Sequence, residues 1–307
     1  AKDSPYAGTF HSFCALVLRR SGERIGLASN FVIFDENDQL EIVKQAEIRY
    51  GLEKKIKPQV ARHTISQAKN ELISPLQYSE YARGEYQQNI AKIYLEYQRL
   101  LTQNDALDFD DLLIETVKLF KTDQETLEKY RSTFKYILVD EWQDTNKAQY
   151  EIIKFLSFRH QYLTVVGDAA QSIYAWRGAD YRNINYLKRD FSNLTIINLE
   201  QNYRSTQNIL DAAYGIISQN KNHPILKLWT ENKKGEKIKL YQAKSEMDEA
   251  NFLVQETKKS SIPYDQIAVL YRTNAQSRVI EEALLSSGIP YILYGGMNTE
   301  LSGFAIN

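Results

Sequence analysis

The chain has 307 residues, 43% of them hydrophobic, with 38 basic and 39 acidic side chains and a net charge of −1. That is apolar material for about two domains of ordinary size. The near-neutral balance excludes a global polycation, so nucleic-acid binding has to come from local patches, aromatic platforms and backbone amides.

One cysteine, Cys14, excludes an internal disulfide and fits a reducing cytoplasm; with no paired base in sight it reads as a small buried apolar residue. The four histidines (His11, His63, His160 and His223) show no metal-ligand spacing, so no zinc site is expected. No apolar run approaches the ~20 residues that span a bilayer. The opening AKDSPYAGTF lacks a signal peptide's charged-then-apolar order. A cytoplasmic protein without a membrane segment is expected.

From Asp35 to Leu107 the pattern is helical, with amphipathic stretches at 38–49 and 86–101, and Asp35 or Asn37 is suited to cap the first. The stretch from Arg49 to Lys69 carries six Lys or Arg residues against one acid, Glu53. It reads equally as a solvated face or as a phosphate-contacting patch. Five short apolar runs have the length and β-branched content of buried parallel strands: 136–139, 163–166, 195–199, 238–241 and 267–271. Helical patterns at 147–158, 206–219 and 246–259 lie between them, which predicts a parallel sheet covered on both faces. Ligands in such sheets bind at the carboxyl ends of strands. A linker is expected near 205–207.

The run Tyr136-Ile137-Leu138-Val139 ends in Asp140-Glu141. Two acids at a strand end can divide phosphoanhydride hydrolysis, one holding a Mg²⁺ shell and the other activating water. Asp-Glu alone would read as an acidic surface turn, but a polar Gln143-Asp144-Thr145 and a helix starting near Asn146 follow it. The next strand ends in Gly167-Asp168 and leads to Gln171, a neutral donor suited to sensing a γ-phosphate. Tyr174, Trp176 and Arg177 then set two flat rings beside a guanidinium, a combination suited to stacking on unpaired bases; in isolation Trp176 would read as core. After the third strand come Tyr203, which could stack on a purine, and Arg204. At a domain junction that fork could serve a phosphate or a structural ion pair.

DEWQDT (140–145), GDAAQSIYAWRGAD (167–180) and LEQNYRST (199–206) resemble, in order and spacing, three helicase motifs of the superfamily 1 UvrD/PcrA/Rep type. Thr9-Phe10-His11-Ser12 resembles that family's DNA-contacting motif ahead of the acidic strand. Asp108-Phe109-Asp110-Asp111-Leu112 resembles the return into the first motor domain, and 271–278 a motif of the second. The resemblance runs over nearly all of 9–298.

It implies an ATP- and Mg²⁺-dependent 3′-to-5′ translocase on single-stranded DNA and single-strand/duplex junctions, in repair or replication restart with other such proteins. It also implies an α/β architecture. Residues 1–34 and 108–205 would form a RecA-like motor domain, 35–107 a helical insertion, and 206–307 part of a second RecA-like domain, with ATP between the motors. Asp140 would be the Mg²⁺ ligand, with Glu141 as catalytic base beside it. Gln171 would couple γ-phosphate to DNA, Tyr203 stack on adenine, and Arg204 act as arginine finger. Tyr174, Trp176 and Arg177 would contact DNA, with Thr9 and His11 on phosphates. Trp142 stands where the family commonly has another aromatic, and Ala170 where an acid is frequent. No Gly-x-x-x-x-Gly-Lys-Ser/Thr occurs and no glycine precedes a lysine, so the phosphate loop and the last motifs are expected outside this stretch, and the chain alone is expected to be inactive. Two rivals are a piece of a RecB/AddA-type helicase–nuclease and an ATP-independent DNA-binding module.

Overall fold

A computed structural model of the chain describes residues 5–174, 178–180, 182–220 and 225–294. It divides into two compact units, one of Ala1–Asn202 with Ala213–Trp229 and one of Tyr203–Ala212 with Thr230–Asn307.

The first unit opens with helix α1 (Phe10–Ser21), capped by Thr9, whose hydroxyl accepts from Ser12 N. A two-residue strand β1 (Val32–Ile33) leads into α2 (Glu36–Tyr50). Asp35 starts that helix because its carboxylate accepts from both Asn37 N and Asp38 N, while Asp38 returns a bond to the Asp35 amide. Then come α3 (Pro58–Asn70), α4 (Pro75–Tyr81) and α5 (Gly84–Gln103). Strand β2 (Ala106–Leu107) returns to pair in parallel with β1. Ile42, Val43, Ala46, Ile65, Ile90, Ile93, Tyr94 and Tyr97 form the core shared by α2, α3 and α5, drawing only on residues inside the β1–β2 clasp.

Next come α6 (Phe109–Thr122) and α7 (Gln124–Thr133), then β3 (Ile137–Val139), α8 (Lys147–Ser157), β4 (Leu163–Val165) and α9 (Asn183–Asp190). α1, α6, α7 and α8 pack a second core around Val17, Leu18, Leu112, Leu119, Phe120 and Ile152, with Cys14 fully buried in it. Burial pushes the Cys14 thiol up to about 12, which leaves it an inert apolar residue.

Between these two cores Lys69 is buried, its Nζ 2.7 Å from both Asp108 Oδ2 and Asp111 Oδ1. Tyr97 and Gln98 donate to the same carboxylates. A buried charge is tolerated only when it is paired and hydrogen-bonded in this way.

Strands β3 and β4 pair in parallel, Ile137 opposite Leu163 and Val139 opposite Val165. One face packs Val139, Trp142, Tyr150, Ile153, Leu187 and Phe191 into a third core. The other face is open: Tyr136 is 73% and Leu138 78% exposed. The expectation of a sheet covered on both faces therefore fails among the described residues.

In the second unit α11 (Glu246–Lys259) and α12 (Asn274–Ser286) pack around Ala250, Val254, Ala283, Leu284 and Ile289. Helix α10 (Gln207–Ile217) carries the chain across the division between the units. The runs at 195–199, 238–241 and 267–271 form no ladder among the described residues, contrary to the sequence expectation. An apolar run states that a segment can be buried, but a strand exists only with a partner in register. With Ile197 78%, Leu240 97% and Leu270 93% exposed, these three segments have none here.

Candidate functional site

The carboxyl ends of β3 and β4 are drawn together beyond the formal strands. Val166 N donates to Val139 O at 2.8 Å, and Trp142 N to Val166 O at 2.9 Å. Between these bonds the chain takes in one residue more than a regular parallel ladder, and Glu141 there is a non-glycine residue in the left-handed region (φ 50, ψ 45). That conformation costs an L-residue about 1–2 kcal/mol, and such strain gathers at functional sites. Trp142 anchors this bulge, 1% exposed and 5.9 Å from the Tyr150 ring. Asp140 and Glu141 are left at the surface of the strand end.

Gln143, equally buried, holds the two strand ends together. Its Nε2 donates to Glu141 Oε2 at 2.7 Å, and its Oε1 accepts from Asp168 N at 2.9 Å. Gly167 is obligatory beside it, since a Cβ there would lie 2.8 Å from Gln143 Oε1 and 3.0 Å from Trp142 Cβ. Asp168 in turn accepts from Ala170 N and from Gln171 Nε2, both at 2.9 Å. Asp140, Glu141, Gln143, Asp168 and Gln171 thus meet at one strand-end locus. Sequence reasoning named Gln143 only as part of a polar segment and gave it no role of its own; the bridge it makes appears only in the fold.

Asp140 Oδ1 accepts from Glu141 N at 2.9 Å. Asp144 carries a buried Oδ1 without a partner, and burial followed by the Glu141 charge raises its carboxyl above the usual range. Among the described residues no three His, Cys, Asp or Glu side chains are arranged to hold a metal by themselves. One or two hard carboxylates at a strand end suit a Mg²⁺ that takes its remaining ligands from water and phosphate, so Asp140 and Glu141 fit that ion. The pattern Gly-x-x-x-x-Gly-Lys-Ser/Thr does not occur in this sequence.

Tyr174, 38% exposed, follows Gln171, and its carbonyl accepts from Ala179 N at 3.2 Å. Trp176 and Arg177 lie outside the described residues. Thr9 is exposed at the start of α1, and its hydroxyl, which accepts from Ser12 N, retains its own hydrogen for another acceptor. His11 packs edge-on against Phe109 at 5.7 Å, and burial lowers its pKa. At neutral pH it offers a neutral N–H rather than a cation.

In the second unit Tyr203 and Arg204 are both exposed. Asn232 Nδ2 donates to Tyr203 O at 3.3 Å and to Ser205 O at 3.1 Å, bracketing the Arg204 backbone. No sequence signal pointed to Asn232.

The basic run from Arg49 to Lys69 resolves toward internal pairing. Arg49 meets Glu96 (3.1 Å), Lys55 meets Glu85 (2.6 Å), Arg62 meets Glu36 (2.7 Å), and Lys69 is buried on Asp108 and Asp111.

Two exposed carboxylates thus stand at the carboxyl end of a parallel strand pair. The chain belongs to the UvrD/REP helicase family: residues 2–192 match its N-terminal domain and residues 197–299 the UvrD-like helicase C-terminal domain. It is similar to the ATP-dependent DNA helicase PcrA of Staphylococcus epidermidis RP62A and to that of Staphylococcus aureus Mu50. Each is 46% identical over 295 residues, which cover 95% of this chain and 40% of the relative. The chain thus spans about 40% of the length of the curated relatives it matches. The family implies an α/β fold of RecA-like type, and the structure is helix-rich with small parallel sheets. Nothing in these matches favours the helicase–nuclease rival. No described helix is long and apolar enough to cross a membrane.

Proposed function

We propose that the chain forms part of an ATP-dependent DNA helicase that moves 3′ to 5′ on single-stranded DNA. It would act at single-strand/duplex junctions in repair or replication restart, in a reducing cytoplasm and alongside other proteins of those processes. The observation that carries this reading is the convergence of Asp140, Glu141, Gln143, Asp168 and Gln171 at the carboxyl ends of β3 and β4. The names of the relatives support it.

In this proposal residues 1–34 with 108–205 belong to the first motor domain and 206–307 to the second. Residues 35–107 form a helical insertion, a reading supported by the β1–β2 clasp and by the core closed within it. Asp140 binds Mg²⁺, with Glu141 beside it. A bound Mg²⁺ supplies neutralisation of phosphate oxygens during ATP hydrolysis. Glu141, oriented by Gln143, accepts the proton of the attacking water. Gln171, held by Asp168, reports the γ-phosphate to the segment that begins at Tyr174. Tyr203 stacks on adenine and Arg204 offers its guanidinium fork to developing charge. Tyr174, Trp176 and Arg177 take bases and backbone, while Thr9 and His11 take phosphates as neutral donors.

The test is strand displacement by the protein as its gene encodes it, with Mg-ATP, on duplexes carrying either a 3′ or a 5′ single-stranded tail. Unwinding of the 3′-tailed duplex alone is expected. Unwinding restricted to the 5′ tail, or independent of ATP, contradicts the proposal.

A further inference from the structure

The polar support of the acidic segment continues past Gln143. Asn146 caps α8 with its Oδ1, which accepts from Gln149 N at 2.9 Å, and its Nδ2 donates to Asn70 Oδ1 in a buried bond. Asn70 is the last residue of α3 and is 7% exposed. Its own Nδ2 donates to Ser66 O at 2.8 Å and to Asp110 Oδ1 at 3.2 Å. The carboxamide is therefore used at both ends, as acceptor toward Asn146 and as donor toward Asp110. Aspartate would lose the donor and repel Asp110, and leucine would orphan both neighbours.

Another flank of Asn70 meets the backbone that follows Tyr174. Gly178 (φ +83) lies against it so closely that a Cβ there would stand 2.9 Å from Asn70 Cβ and 3.1 Å from its Cγ. The same backbone is fastened to the acidic segment, with Asp180 N donating to Thr145 O at 3.0 Å. Asn183 Nδ2 donates to Thr145 O at 2.7 Å and to Thr145 Oγ1 at 3.0 Å. One buried side chain thus touches both Asn146, which follows the acidic strand end, and Gly178.

We propose that Asn70 is a positioning residue that keeps the Gly178–Asp180 backbone in register on the Thr145–Asn146 segment, and so transmits occupancy of the DNA-contacting segment to Glu141. This rests on the functional reading above. It gives the end of α3 a role in coupling, beyond its packing between two cores. The register is held from both sides, by the Asn70 side chain packed against Gly178 and by the absence of a side chain at Gly178. Two independent substitutions should therefore break the same thing.

The test measures amide exchange at Ala179 and Asp180, and single-stranded oligonucleotide affinity by anisotropy, in Asn70→Ala, Gly178→Ala and the double variant. Each single variant is expected to speed exchange at both amides by on the order of tenfold and to weaken DNA binding several-fold, while amides of α6 and α8 stay protected. The double variant should be no weaker than either single one, because the two sites hold one register. In the protein as its gene encodes it, the ratio of DNA-stimulated to unstimulated ATP turnover should fall in each variant. Unchanged exchange at Ala179 and Asp180, additive losses, or loss of α6 and α8 protection together with them would overturn the proposal, the last by reducing Asn70 to a stabilising residue. If the unsubstituted protein binds no single-stranded DNA, the functional reading fails and the coupling with it, whereas the exchange measurement still decides the register.

Discussion

Gln143 donates to Glu141 Oε2 at 2.7 Å from a side chain that is itself 1% exposed, so the orientation of the proposed catalytic base is set from within the core. The other end of the amide, on Asp168 N, ties that base to the strand end that carries Gln171. Gln143→Met keeps the volume and removes both hydrogen bonds. It should cost about 1–3 kcal/mol of stability, the usual loss when buried partners are orphaned, read as a lowered urea midpoint. An unchanged midpoint would show that the amide is not holding the two strand ends.

The Lys69 ion pairs make a sharper demand on stability. Removing the ammonium leaves Asp108 and Asp111 buried with no counter-ion, so Lys69→Met should destabilise by about 3–5 kcal/mol. A loss below about 1 kcal/mol would mean that the pairs behave as surface contacts.

The same cluster predicts a pH dependence. Burial, reinforced by the Asp108 charge, raises the Asp110 carboxyl to about 6, above the ordinary value of about 3.9 in an unfolded chain. Between those values the folded protein holds a proton that the unfolded chain releases. Its contribution to stability is fully present below the unfolded value and is lost as pH rises through about 6. Asp110→Asn removes this dependence. Its stability relative to the parent should therefore improve from about pH 5 to about pH 8, and a difference that stays constant over that range would contradict the assignment.

The acidic strand end was legible because its residues are contiguous: an apolar strand, two acids, then a helix capped by Asn146. Caps were legible for the same reason, and of the two candidates Asp35 and Asn37 it is Asp35 that starts α2. The runs at 195–199, 238–241 and 267–271 were read as strands and form no ladder among the described residues, because pairing is not a local property. Gln143, Asn232 and Asn70 each bond a partner that only the fold brings near: Asp168 for Gln143, Tyr203 and Ser205 for Asn232, and Asn146, 76 positions away, for Asn70. The basic run was ambiguous because a charge pattern does not reveal its counter-ions, and Glu96, Glu85 and Glu36 come from elsewhere in the chain.

The division of labour between Asp140 and Glu141 is tested most directly by Glu141→Gln in the protein as its gene encodes it. The amide keeps the shape and the contact with Gln143 but cannot accept a proton from water. Mg-ATP binding should stay near the parental level while DNA-stimulated turnover falls by about 10²–10⁴-fold, the usual worth of a general base. Turnover at the parental rate would contradict the account, because the catalytic base would then have to be another group.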